Sequence, residues 1–165
     1  MAKDQSFDVV SQVDMQEVDN AIQQTVKELQ QRYDLKGTGS TVAFDRANAT
    51  VTLTAPSDFV LGQVRDILES KLVRRGIDLL ALDWAKIESA SGGSARRTAT
   101  VVNGIDAEIA RRINKEVREQ KFKVKVQIEG DKVRVFSSSR DELQAVITFI
   151  KEQDYGIPLQ FVNYR

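Results

Sequence analysis

One order of apolar periodicities occurs twice along this chain, and it limits the fold more than any other feature. In the first pass SFDVVSQV reads as a strand. Val18, Ile22, Val26 and Leu29 then recur at helical spacing, which predicts a helix from Met15 to about Tyr33. Asp14, with Glu17 three residues on, forms a start like a capping box. STVAFD and ATVTLTA follow as a strand pair turning through RANA. A second helix is expected from about Asp58 to Arg75, with Ser57 as its N-cap and Gly76 as its stop. IDLLALDW closes the pass as a strand.

The second pass opens on the strand RRTATVVNG. A helix from Ala107 to about Gln120 buries Ile109, Ile113 and Val117, and FKVKVQI pairs with KVRVF across the turn EGDK. Ser139 caps the last helix, with Glu142 at the capping-box position and Leu143, Val146, Ile147 and Ile150 as its core face. Pro158 opens a final strand in LQFVNYR. Each pass is β-α-β-β-α-β, so the chain reads as α+β, with two ferredoxin-like domains, 1–90 and 91–165. Each would be a four-stranded antiparallel sheet with two helices on one face and the other face open. Between them KIESASGGSARR is either a linker or a phosphate loop. A phosphate loop should lead from a strand into a helix, whereas a strand follows here, so it reads as a linker.

Cysteine and histidine are both absent from the 165 residues. Disulfides, thiolate metal sites and every Ser/His or Cys/His nucleophile pair are thereby excluded, and catalytic machinery is not expected. No cofactor or metal site is expected either. The longest apolar runs fall well short of a membrane span and MAKDQSFDVV lacks a signal-peptide core, which points to a cytoplasmic protein without a membrane partner. Net charge is zero, yet residues 1–95 hold 10 Lys/Arg against 14 Asp/Glu and residues 96–165 hold 14 against 10. That asymmetry suggests an anionic partner for the second half.

Strand alternation assigns side chains to faces. Val124, Val126, Ile128, Val133 and Val135 should point to the helices. Lys123, Lys125, Lys132, Arg134 and Phe136 should share the open face with Gln127 and Glu129, and Arg140 starts the next helix nearby. Cations beside an aromatic suit phosphate plus a stacked base, and they equally suit a solvated sheet face. In the first half the outward set is Thr41, Ala43 and Asp45 against Thr50, Thr52 and Thr54, which offers no phosphate site.

Other motifs are weaker. KGTGS lacks the Lys-Ser/Thr ending of a P-loop, and Arg74 and Arg75 in LVRRG complement a helix C-terminus. The pairs Asp106/Glu108 and Asp141/Glu142 sit at helix starts, where carboxylates belong electrostatically. An RGFGFV-like run, the signature of RNA-recognition sheets, is missing.

Taken in order, SFDVVSQVDMQEVDNAIQQTVKEL, RYDLKG, LVRRGIDLLALDW, SASGG, QIEGDKVRV, SRDELQAVI and LQFVNYR closely resemble the YajQ family of small bacterial proteins, over essentially the whole chain. The resemblance implies tandem ferredoxin-like domains, similar to ribonucleoprotein domains, that exchange N-terminal strands: 6–13 would join the second sheet and 96–103 the first. That exchange would bring Phe7, Asp8, Val10 and Gln12 beside the basic sheet and carry Arg96 and Arg97 away from it. It further implies a nucleotide-binding protein, with ligands from RNA to cyclic di-GMP, a link to transcriptional control through a protein partner, and no enzymatic activity. SSSRDELQ stands here where the family pattern is GKKRDDLQ-like, and QIEGD where it is QIQGD-like. Arg140 is thus left without basic neighbours in its loop, and Glu129 is set beside the site, which favours a small nucleotide.

The expectation is a nucleotide- or phosphate-binding face formed by Lys123, Lys125, Lys132, Arg134 and Arg140, with Phe136 stacking a base. The ligand would be cyclic di-GMP, a GTP-like nucleotide or single-stranded RNA. The alternative is an adaptor that docks a transcription-regulator protein with no nucleotide of its own; an acid–base enzyme is a third and weaker reading.

Overall fold

In the computed structural model, residues 4–165 are described, and they form two compact units. In chain order the elements are β1 (Gln5–Val10), α1 (Met15–Gln31), β2 (Thr41–Asp45), β3 (Thr50–Ala55), α2 (Asp58–Arg74), β4 (Leu82–Trp84), β5 (Glu88–Ser89), β6 (Ala95–Val101), α3 (Ala107–Glu119), β7 (Lys125–Glu129), β8 (Lys132–Ser137), α4 (Arg140–Glu152) and β9 (Gln160–Val162). The units do not follow sequence order. One joins the segment ending at Gln12 to Asn103–Arg165, and the other is Val13–Val102, so a cut at residue 90 follows neither.

The sheets show why. One has the order β7-β8-β1-β9, the other β2-β3-β6-β4, with β5 also paired to β6. All pairs are antiparallel. β1 therefore occupies an inner position in a sheet whose other strands all lie beyond residue 124, and β6 an inner position among β2, β3 and β4. Phe7 and Val9 on β1 are fully buried in one core with Val133, Val135, Ile113, Val146 and Ile150. Burial of such side chains stabilises by roughly 1.5–3 kcal/mol each, so that core depends on β1. The other core gathers Val18, Val51, Leu53, Val64, Leu68 and Leu72, joined from β6 by Ala99 and Val101.

Helix ends follow the polar signals in the sequence. Asp14 accepts from the amides of Gln16 and Glu17, Ser57 from Val60, Asp106 from Ile109 and Ser139 from Glu142. The Glu17 carboxylate does not reach back to its own cap; it accepts from Asn20 and pairs with Arg75. α2 stops in a Schellman motif: Gly76 has φ +78, its N–H donates to Val73, and Ile77 donates to Leu72.

Two segments differ from expectation. IDLLALDW is a strand only over Leu82–Trp84; Leu79–Ala81 forms a 3₁₀ turn, started by the Asp78 side chain accepting from Leu80. KIESASGGSARR is no free linker, because Glu88 and Ser89 pair with Arg96 and Ala95 through a loop in which Gly92 and Gly93 have φ +70 and +79. Ile128, opposite buried Val133 and so on the helix side as expected, is nonetheless 37% exposed near the end of edge strand β7.

Candidate nucleotide-binding face

The sheet β7-β8-β1-β9 places the predicted residues in rows. Lys125, Phe136 and Ser6 lie opposite one another across β7, β8 and β1; Gln127, Arg134, Asp8 and Val162 form the next row, and Glu129 faces Lys132. Opposed residues on antiparallel strands share a face, so Lys125 and Phe136 are direct neighbours. Lys123 lies just before β7. Its backbone N–H donates to the Glu142 carboxylate and its carbonyl accepts from the Ser137 hydroxyl, which fixes this segment against α4 while leaving its ammonium unpaired. Arg140 is exposed in the first turn of α4.

Exposure on this face falls from the edge inward. Lys125 and Gln127 on β7 are exposed, Lys132, Arg134 and Phe136 on β8 are partly buried, and Ser6, Asp8 and Val10 on β1 are buried. The reachable part of the face is its β7 margin.

Asp8 changes the electrostatics. Its side chain is 1% exposed and accepts from Arg134 Nε at 2.8 Å and from Asn163 Nδ2 at 2.8 Å, with Lys132 Nζ at 3.6 Å. Arg134 also reaches Glu129 at 3.5 Å. Burial alone would push the Asp8 carboxyl up. The hydrogen bonds from Arg134 and Asn163, with the positive charges of Arg134 and Lys132, outweigh it and hold the group below the usual carboxylate range. A bulge serves this contact. Val162 lies opposite Asp8, whereas Arg165 exchanges both backbone hydrogen bonds with Ser6, so one extra residue enters on the β9 side. Asn163, at φ +56, lies in that stretch and delivers its amide to Asp8.

The six predicted residues therefore divide. Lys123, Lys125 and Arg140 have unpaired side chains, Phe136 stands beside Lys125, and Lys132 and Arg134 are committed to Asp8 and Glu129. Sequence reasoning missed that commitment. Its signal was the single carboxylate in SFDVV, at an outward position of an otherwise apolar strand. The charge asymmetry between halves also disappears in the folded units. Residues 1–12 with 103–165 hold 13 Lys/Arg against 12 Asp/Glu, and residues 13–102 hold 11 against 12.

In the other unit a cleft of about 380 Å³ between α1 and α2 is lined partly by Lys27, Glu28, Lys71, Arg74 and Arg75. Lys71 is paired to Glu28 at 2.8 Å and Arg75 to Glu17 at 3.5 Å. The Lys71 hydrogen bond holds the Glu28 carboxyl below its usual range. Among the described residues no three His, Cys, Asp or Glu side chains gather as metal ligands would, and no helix is long and apolar enough to cross a membrane.

Residues 5–165 match the family described as nucleotide-binding protein YajQ-like. The chain belongs to that family. It is 50% identical to a protein named nucleotide-binding protein from Alkaliphilus oremlandii over 165 residues, covering all of both chains. It is 48% identical to one of the same name from Chloroherpeton thalassium over 160 residues, 97% of each chain, and 47% identical to one from Bacillus cereus over the full length of both.

Proposed function

We propose that this chain is a non-enzymatic nucleotide-binding protein whose ligand sits on the β7 margin of the β7-β8-β1-β9 sheet. The observation that carries this reading is the direct opposition of Lys125 and Phe136, an unpaired cation beside a partly exposed aromatic, in a chain whose relatives are named for nucleotide binding. Phe136 stacks the base, an interaction worth about 1–3 kcal/mol. Lys123 and Lys125 meet the phosphates, with Arg140 within the same surface. Lys132 and Arg134 hold β8 to β1 through Asp8 and so act as the frame of the face rather than as free phosphate ligands. The absence of histidine and cysteine supports a binding role over catalysis.

Calorimetric titration with cyclic di-GMP, GTP and a short single-stranded RNA, each at low and moderate salt, tests the reading. Saturable binding of at least one ligand is expected, weakening as salt rises. It should fall about tenfold or more in Lys123→Gln/Lys125→Gln, given that a lost charged hydrogen bond is worth about 1.5–3 kcal/mol. Silence from all three ligands, or unchanged affinity in the double variant, would overturn it; the adaptor reading would then lead.

A further inference from the structure

The cationic excess of this unit lies in one continuous segment, and four of that segment's cations are on a helix. From Ala107 to Lys125 the chain holds seven Lys/Arg against three Asp/Glu, within a unit that is nearly neutral. α3 buries Ala110, Ile113 and Val117. Its flank toward Tyr155 carries Arg112, which lies over the Tyr155 ring at 4.5 Å and pairs with Glu116 at 3.4 Å. At about 100° per residue, Arg111, Lys115 and Arg118 fall together on the other flank. All three are exposed, and none makes an ion pair or side-chain hydrogen bond.

This stripe leads to the sheet. α3 packs over β7, the edge strand. After α3 the chain turns through Lys121, at φ +58, and continues into Lys123 and Lys125, both exposed and unpaired. Arg111 and Lys115 are separated by about 6 Å along the axis and Lys115 and Arg118 by about 4.5 Å, so the stripe spans roughly 10 Å before the turn. A line of free cations of that length, ending beside an aromatic, matches a run of phosphates better than a single nucleotide. Two of its members on α3 are arginines, whose planar fork fits phosphate.

We propose that Arg111, Lys115 and Arg118 form a phosphate-tracking strip for single-stranded nucleic acid, which passes from α3 around the β7 edge to Phe136. The strip deepens the reading of Lys123, Lys125 and Phe136 as a nucleotide site, on which its far end rests; the α3 residues stand on their own exposure and lack of partners. Glu108 and Glu119, exposed near the ends of the helix, limit the strip to the stretch between them.

The test compares Arg111→Gln/Lys115→Gln/Arg118→Gln with the wild-type protein, using a 12-nucleotide RNA and GTP across a salt series. Glutamine keeps helix propensity at exposed positions, and an unchanged circular dichroism melt verifies the fold. The strip predicts RNA affinity reduced tenfold or more at low salt and a log–log salt slope flatter by roughly 2, since each single-strand phosphate contact contributes about 0.7. GTP affinity should not move, and Arg111→Lys/Arg118→Lys should retain most of the RNA affinity. RNA affinity and slope unchanged in the triple Gln variant would overturn the strip. So would a polyglutamate peptide of equal charge that competes as well as the RNA, because an acidic protein surface would then be the occupant. GTP silent while RNA binds and responds to the α3 variant would sink the mononucleotide site and keep the strip; the reverse would keep the site and remove the strip.

Discussion

Replacing Asp8 by Asn should weaken the fold and tighten anion binding together. The buried Asp8 carboxylate accepts from Arg134 and Asn163 and faces Lys132. Asparagine keeps the shape but loses the charge, and its one carbonyl oxygen can serve only one of the two donors while its NH₂ meets the other. A hydrogen bond to a charged group is worth about 1.5–3 kcal/mol, and an unsatisfied buried donor adds to the loss, so Asp8→Asn should cost about 2–4 kcal/mol. For a unit of this size that lowers the melting midpoint by roughly 10–30 °C at pH 7. The pH dependence follows from the lowered carboxyl pKa. A group held down in the folded state contributes stability that is complete above its unfolded pKa, about 3.9, and is lost as pH falls through the folded value. The gap between wild type and Asp8→Asn should therefore be full above about pH 5 and close below the ordinary carboxylate range. Urea unfolding at a series of pH values reads this directly. With Asp8 neutral, Lys132 and Arg134 become free for phosphate, so GTP affinity should rise severalfold with a steeper salt slope. A stability gap of equal size at pH 3 and pH 7 would refute the assignment of this carboxylate as the hub of the face.

Three further outcomes are expected. Phe136→Ala should weaken nucleotide binding by about 1–3 kcal/mol, with little change in melting, because the ring lies outside the helix-side core; calorimetry and a thermal scan separate the two effects. Gly104 has φ +99, and a Cβ there would stand 2.8 Å from the Asp131 carboxylate, so Gly104→Ala should lose about 1–3 kcal/mol of stability by chemical denaturation. A chain starting at Val13 should lose amide-exchange protection in β8 and β9, since β1 lies between them, while β2 and β3 keep theirs.

The fold class was legible because period-2 and period-3.6 patterns do not resemble each other, and because Asp14, Ser57, Asp106 and Ser139 announce helix starts at short range. The partners of β1 were not readable from periodicity, since Phe7 and Val9 would suit either sheet; family resemblance alone suggested an exchange. Alternation put Lys125 and Phe136 on one face, while their direct opposition is a matter of register that the structure supplies. The pairing of Arg134 with Asp8 joins residues 126 positions apart, and no local pattern encodes such a contact. The α3 stripe is present in the sequence as RRINKEVR, where cations on an amphipathic helix read as an ordinary solvated face. A helix wheel separates Arg111, Lys115 and Arg118 from Arg112 only once the buried flank and the Tyr155 contact are known.

The most direct measurement is a ¹⁵N–¹H correlation spectrum of the whole protein recorded while GTP, and then a 12-nucleotide RNA, is added. The account predicts that amides of Lys125, Phe136 and Ser6 shift with both ligands, and that α3 amides near Arg111, Lys115 and Arg118 shift only with the RNA. Shifts confined to residues 13–102, or none with either ligand, would contradict the placement of the site on this sheet.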